Sequence, residues 1–188
     1  MEASAAYRYR CIVAVGRFIV FAAKALHEHP AARERIAGGD ARYIEHFVQE
    51  VRRTAPFFPV IGGRVRQSFD WNGHKFEQGA WVLLDLYGTD QHPGFWRDPE
   101  AFDPDRFETM QPTPFELVPQ GAGDATVTHR CPGEEMTLAL MRTAVRQLTA
   151  AVSYEVPQQD LSVDKSTIPA LPRSGLIMTR IRPPDPSL

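Results

Sequence analysis

One cysteine stands next to basic residues at the start of a predicted helix, and it is the residue best suited to chemistry. Cys131 follows His129 and Arg130, and Pro132-Gly133 leads into a helical pattern. A helix N-terminus carries about half a positive charge and free backbone N–H groups, and both favour a thiolate over a thiol. A thiolate held by backbone donors suits the axial position of a haem iron. An inert buried thiol is the alternative for a lone cysteine.

Periodicity and turn signals predict a chain of helices with small β regions around this cysteine. The first helix is apolar nearly all round, which is typical of a helix buried in a large protein. Asp40 is expected to cap a second long helix, whose apolar stripe consists of Ile44, Phe47, Val48 and Val51. The predicted segments are a first helix at 9–29, a helix at 40–54, a β region at 57–87, an irregular segment at 92–118, a loop at 119–133, a helix at 133–151 and a β tail at 152–182.

Finer features are predicted inside these segments. A strand is expected over 60–69, with Asn72-Gly73 as a tight hairpin turn and a return strand over 81–86. The irregular segment is rich in proline and aromatic rings, and packed rings are expected to hold it. Pro132 is expected at the first position of the last helix, where its missing N–H costs nothing.

Composition excludes several classes of protein. The chain has 188 residues, 43% of them hydrophobic, and a net charge of −2, which gives no reason to expect nucleic acid as a partner. Two cysteines cannot form a disulfide framework, so a reduced cytoplasmic compartment is the default. The apolar stretch from Cys11 to Leu26 contains Arg17 and Lys24 and is too short and too charged to span a membrane, so no stable membrane anchor is expected.

Three separated motifs occur in a fixed order along the chain. They are Glu50-Val51-Arg52-Arg53, Phe102-Asp103-Pro104-Asp105-Arg106-Phe107 and His129-Arg130-Cys131-Pro132-Gly133. Together they resemble the C-terminal, haem-binding portion of a cytochrome P450. The long approach Pro119-Gln120-Gly121-Ala122-Gly123 is similar to that of the bacterial fatty-acid peroxygenases and decarboxylases within this superfamily. The resemblance implies a mainly α fold with small β-sheets (α+β), from the distal helix of the P450 fold onward.

The resemblance also implies a cofactor and the residues around it. The cofactor would be haem b, with Cys131 as the proximal ligand of its iron. Glu50, Arg53 and Arg106 would form a buried structural network between helix and irregular segment. The residues expected to contact haem are His129, Arg64, Gln120 and Gly121.

Arg10 is the candidate catalytic residue implied by the resemblance. In that branch an arginine on the distal helix holds the fatty-acid carboxylate, which then takes part in splitting hydrogen peroxide. Arg10 occupies this position, although Cys11 replaces the proline that follows it there, and no acid–Thr pair lies between Arg10 and Phe21. Since Arg10, Arg17 and Lys24 repeat every seven residues, a solvated basic stripe is the alternative.

The expected function is that of a haem-thiolate oxidoreductase acting on fatty acids with hydrogen peroxide, by α- or β-hydroxylation or decarboxylation. The resembled enzymes are more than twice as long, so a missing N-terminal half is expected. The alternatives are a non-catalytic P450 fragment that needs a complementing chain, and a conventional P450 monooxygenase. The apolar helix from Cys11 to Leu26 is expected to be uncovered, and Glu134 and Glu135 to disfavour docking of an acidic electron-transfer protein.

Overall fold

The computed structural model of the chain describes residues 3–183, with side chains from residue 14 to residue 183. The α-helices in this part are α1 (Ala3–Glu28), α2 (Pro30–Ala37), α3 (Ala41–Thr54), α4 (Leu86–Asp90) and α5 (Glu134–Arg146). The strands are β1 (Val60–Arg64), β2 (Phe69–Trp71), β3 (His74–Phe76), β4 (Trp81–Asp85), β5 (Ser153–Glu155) and β6 (Thr179–Arg182). They pair antiparallel as β1–β4, β2–β3 and β5–β6, which confirms the predicted mainly helical fold with small sheets.

The hydrophobic core lies where α1, α3 and α5 pack together. Side chains that are at most 1% exposed come from all three helices: Phe18, Ala22, Leu26, Phe47, Val48, Val51, Met141 and Val145. The part of α1 from Phe18 to Leu26 is therefore covered by this chain itself, and the expectation of an uncovered apolar helix is wrong there. Across residues 3–183, no helix is long and apolar enough to cross a membrane.

Local signals explain where α1 ends and where α2 and α3 begin. α1 ends at Glu28, and Pro30 occupies the first turn of α2, where a missing N–H removes no helical hydrogen bond. Asp40 caps α3, because its Oδ1 accepts the N–H of Tyr43 at 2.9 Å. The cap and the buried stripe of α3 are as predicted, with Ile44 at 3% exposure.

The prediction of one long strand over 60–69 is wrong. β1 ends at Arg64, and β2 begins at Phe69 as part of a separate hairpin with β3. At this interruption the Ser68 hydroxyl accepts the N–H of Gln78 at 2.8 Å, so this donor is satisfied by a side chain and not by a neighbouring strand. The predicted turn at Asn72-Gly73 is confirmed, with φ of +49° and +78° at its two residues.

The last helix starts later than predicted. α5 begins at Glu134, with Gly133 as its N-cap, so the placement of Pro132 at the first helical position is wrong. The N–H of Glu134 bonds to the carbonyl of Cys131 at 3.3 Å, which places Pro132 in a tight turn before the helix. The cysteine loop therefore ends in a tight turn that leads straight into α5.

Candidate functional site

Cys131 lies at the end of a loop that folds back on itself. Its N–H donates to the carbonyl of Gln120 at 2.9 Å, which closes the loop from residue 120 to residue 131. Gly121 has a φ of +99°, and a Cβ at this position would lie 2.8 Å from the carbonyl oxygen of His129. Glycine at position 121 therefore allows the two arms of the loop to meet.

The residues that lengthen this loop form a hydrogen-bonded turn. The N–H of Thr128 donates to the carbonyl of Asp124 at 2.8 Å, and its hydroxyl donates to the carbonyl of Ala122 at 2.7 Å. The N–H of Gly123 bonds to the carbonyl of Pro114 at 3.0 Å. The long approach to Cys131 is thus a structured element.

The Cys131 thiol is free and half-buried. It lines a cleft of about 540 Å³ whose walls include Phe115, Ala125 and Pro132. The expected backbone N–H donors to the sulfur are not found in the part of the chain that the structure describes. The N–H of Glu134 donates to the Cys131 carbonyl, because the chain turns tightly there before α5 begins.

Glu50, Arg53 and Arg106 are brought together in one buried ion network. Arg53 forms a two-point contact with Glu50, with Nε–Oε2 and Nη2–Oε1 distances of 2.8 Å each. Arg106 Nε lies 3.2 Å from Glu50 Oε1, and the N–H of Asp103 donates to the same oxygen at 2.8 Å. Glu50 and Arg53 are 0% exposed, so the pair is fully removed from water.

The two arginines of this network also hold the irregular segment by its backbone. Arg53 donates to the carbonyls of Asp90, Pro99 and Ala101, and Arg106 donates to those of Arg97, Asp98, Ala101 and Asp103. The expected packing of aromatic rings holds for Trp96, which is 0% exposed. The expected ring packing is wrong for Phe95 and Phe115, which are exposed. The hydrogen bonds from the two guanidinium groups to backbone carbonyls therefore hold much of this segment in place.

A second ion network lies beside the cysteine loop, and sequence reasoning missed it. Glu134 accepts hydrogen bonds from Arg130 and from Arg52, and the Arg52 side chain is 1% exposed. Burial lowers the pKa of Arg52, while the charge of Glu134 opposes that shift. The expectation that Glu134 disfavours docking of an acidic electron-transfer protein needs an exposed charge, and it is wrong for Glu134, which is buried and paired.

Asp90 is a buried carboxyl group at the end of α4. Its Oδ1 accepts the N–H of Val118 at 2.7 Å, just before the cysteine loop begins. Burial raises the pKa of Asp90 to about 8, although the Val118 hydrogen bond and the charges of Arg52 and Arg53 act in the opposite direction. This group therefore holds its proton at neutral pH.

The structure places the remaining predicted site residues as follows. Arg64 is exposed, donates to the Gly79 carbonyl at 3.0 Å and lies 4.6 Å from the ring centroid of Trp81. The Gln120 side chain bonds with Arg52 and Thr137, while His129 is exposed. Arg10 belongs to α1, but its side chain lies outside the described residues, as does that of Cys11.

The donor set at Cys131 fits haem. Within the described residues, no group of three or more His, Cys, Asp or Glu side chains is placed to hold a metal ion. A lone half-buried thiol beside an arginine suits a group whose porphyrin supplies the other ligands to iron. The backbone of Gly121 packs closely against that of His129, and this contact holds the loop that presents the thiol.

Sequence comparison relates the chain to one family. The family description "Cytochrome P450" matches residues 39–177. Among curated relatives, cytochrome P450 71D180 of Thymus vulgaris is 28% identical over 66% of this chain and 25% of that protein. Cytochrome P450 71D181 of Origanum vulgare is 28% identical over 70% of this chain and 27% of that protein. The chain therefore spans about a quarter of the length of these relatives.

Solved structures give a nearer likeness. A variant of cytochrome P450SP alpha (CYP152B1) has a TM-score of 0.86 and 43% identity, over 93% of this chain and 42% of that one. Cytochrome P450EX alpha (CYP152N1), solved with myristic acid, has a TM-score of 0.84 and 40% identity over the same shares. Ligand-free cytochrome P450 OleT has a TM-score of 0.85 and 37% identity, over 95% of this chain and 42% of that one. These neighbours confirm the branch that the sequence motifs predicted.

Proposed function

The chain belongs to the cytochrome P450 family, and we propose from this that it is the haem-binding portion of a fatty-acid peroxygenase. The observation that carries the proposal is the presentation of Cys131 on a loop closed by its own backbone and by a glycine that tolerates no side chain. Relatives at 37–40% identity have been solved with myristic acid and, as a variant of OleT, with arachidonic acid. A long-chain carboxylic acid is therefore the proposed substrate class.

Cys131 is proposed as the proximal ligand. When bound, haem supplies the oxidation chemistry, with hydrogen peroxide as the oxidant. The residues of the loop hold the thiol in place, because the hydrogen bond from Cys131 to Gln120 and the turn at Asp124–Thr128 leave its backbone few alternatives. The Glu134 network ties this loop to α3, and the Glu50 network ties α3 to the irregular segment.

Arg10 is proposed to hold the substrate carboxylate from α1. A guanidinium binds a carboxylate by two charge-assisted hydrogen bonds, which orients it as well as holding it. The bound carboxylate is then the group that accepts and returns a proton of hydrogen peroxide. The absence of an acid–Thr pair between Arg10 and Phe21 favours this route over that of a conventional monooxygenase.

Peroxide-driven turnover of myristic acid by the haem-reconstituted chain tests this proposal. Arg10→Ala should lower kcat/KM at least about tenfold, since charge-assisted hydrogen bonds contribute roughly 1.5–3 kcal/mol each. Arg8→Ala is the matched control, because two residues along α1 is more than half a helical turn and places residue 8 on the opposite side. Equal turnover by the Arg10 variant and the wild type would refute the anchor role.

A further inference from the structure

We propose that Glu134 is a positioning residue that ties the Cys131 loop to α3 through two arginines. The inference rests on the proposed function in one respect, since it takes Cys131 as the ligand that needs positioning. Glu134 stands in the first turn of α5, three residues after Cys131, and is 7% exposed. A carboxylate in the first turn of a helix is also favoured by the helix dipole.

The carboxylate of Glu134 joins the loop to the helix. Arg130, the neighbour of Cys131, donates from Nε to Oε2 at 2.7 Å and from Nη2 to Oε1 at 2.8 Å. Arg52 of α3 donates from Nη2 to the same Oε1. One buried carboxylate thus accepts from two guanidiniums that belong to distant parts of the chain.

Arg52 reaches the other arm of the loop as well. Its Nε donates to the side-chain oxygen of Gln120 at 3.2 Å, and the Gln120 carbonyl accepts the N–H of Cys131. Both arms of the loop are therefore linked to Arg52, one through Gln120 and one through Glu134 and Arg130. This connection is separate from the Glu50 network, because Arg53 turns to the irregular segment while Arg52 turns to the loop.

The charges around Glu134 explain why its replacement should destabilise the Cys131 loop. Two guanidiniums converge on one carboxylate, so a neutral side chain at position 134 leaves two like charges facing each other, with Arg52 buried. Breaking one partner out of a buried ion pair is much more destabilising than exchanging the whole pair for apolar groups. We expect the resulting strain to be released locally, by opening of the loop.

Hydrogen exchange of the full chain without haem tests this positioning role. Glu134→Gln should speed exchange of the Cys131 amide at least about tenfold, while the amides of Phe47 and Val48 in α3 change much less. Glu135→Gln is the matched control, since Glu135 is the exposed next residue and should leave all of these amides unchanged. Equal acceleration at Cys131 and in α3, or no acceleration at Cys131, would overturn the proposal.

Arg52→Met covers the case in which the Glu134 variant is poorly folded, and a double-mutant cycle tests whether the two residues act together. Arg52→Met alone should also speed exchange at Cys131, and in the Arg52→Met/Glu134→Gln double variant the acceleration should be smaller than the product of the two single effects. An acceleration equal to that product would show that the two residues act independently, which contradicts the proposal. None of these readouts needs haem, so they stand even if the proposed function fails.

The haem-loaded chain gives a readout that a purely structural role would not produce. Glu134 lies three residues after the proposed ligand, and loss of its negative charge should favour the reduced form of a haem bound there, so Glu134→Gln should raise the midpoint potential. Removing a positive charge does the opposite, so Arg52→Met should lower it. Unchanged midpoint potentials in both variants would show that this network does not act on the ligand, and they would overturn the proposal.

Discussion

Replacing Arg53 with methionine should be one of the most destabilising single changes in this chain. Methionine matches the length of the arginine stem but removes its charge and its donors. The change takes away both hydrogen bonds to Glu50 and the bonds to the carbonyls of Asp90, Pro99 and Ala101. Glu50 keeps only the Arg106 contact at 3.2 Å and the N–H of Asp103, so its buried charge loses its two-point partner and most of its compensation.

The size of the effect follows from burial. Arg53 and Glu50 are both 0% exposed, and removing one partner of such a pair costs about 3–5 kcal/mol. With a urea m-value of roughly 2 kcal/mol per M, the unfolding midpoint should fall by about 1.5–2.5 M. Arg53→Lys keeps the charge but offers three donors in another geometry, so its loss should be smaller, about 1–3 kcal/mol.

Urea unfolding followed by tryptophan fluorescence measures this loss, since the buried Trp96 ring lies 5.2 Å from the Arg53 guanidinium. Arg35→Met is the matched control. Arg35 also bridges to the irregular segment, through Asp105 at 2.7 Å, but its side chain is 39% exposed and water can replace the bridge. Its midpoint should stay within error of the wild type. Equal midpoints for the Arg53 and Arg35 variants would refute the argument from burial.

Further predictions concern pH, backbone geometry and their controls. The pKa of Asp90 is about 8 in the folded chain and 3.8 ordinarily, so between these pH values the folded chain binds one more proton than the unfolded chain. The free energy of unfolding should therefore fall as pH rises from about 4 to 8, by at most about 1.4 kcal/mol per pH unit. Asp90→Asn should flatten this dependence in urea titrations at pH 5 and pH 8, and an unchanged slope would contradict the buried protonated carboxyl. Gly121→Ala should lower the melting temperature and the haem affinity, whereas Gly63→Ala, where a Cβ meets nothing within 4 Å, should leave haem affinity unchanged. Equal haem affinities of the two glycine variants would contradict the close approach at residue 121.

Features set by near neighbours in the chain could be predicted from the sequence. The Asp40 cap acts on a residue three positions away, and the buried stripe of α3 repeats within single turns, so both are visible in a short window. The hairpin turn at Asn72-Gly73 is local in the same sense. The motif around Cys131 indicates the ligand loop, and the order of this motif and the other two along the chain indicates the family.

Features that depend on distant partners could not be predicted in this way. A glutamate just after a cysteine loop usually lies in water, and the burial of Glu134 is accompanied by its pairing with Arg52, which is 82 residues earlier. The break between β1 and β2 is accompanied by a hydrogen bond between Ser68 and Gln78, ten residues apart. A run of two arginines in a helix with a buried stripe is the one signal that could have indicated a second network.

The ferrous carbon monoxide spectrum of the haem-reconstituted chain tests the central claim that Cys131 is the thiolate ligand. The wild-type chain should show the strongly red-shifted Soret band of thiolate ligation. Cys131→Ser should lose this band, and Cys11→Ser, which removes the other cysteine, should keep it. A wild-type spectrum without the red-shifted band, or a Cys131→Ser variant that retains it, would contradict the account.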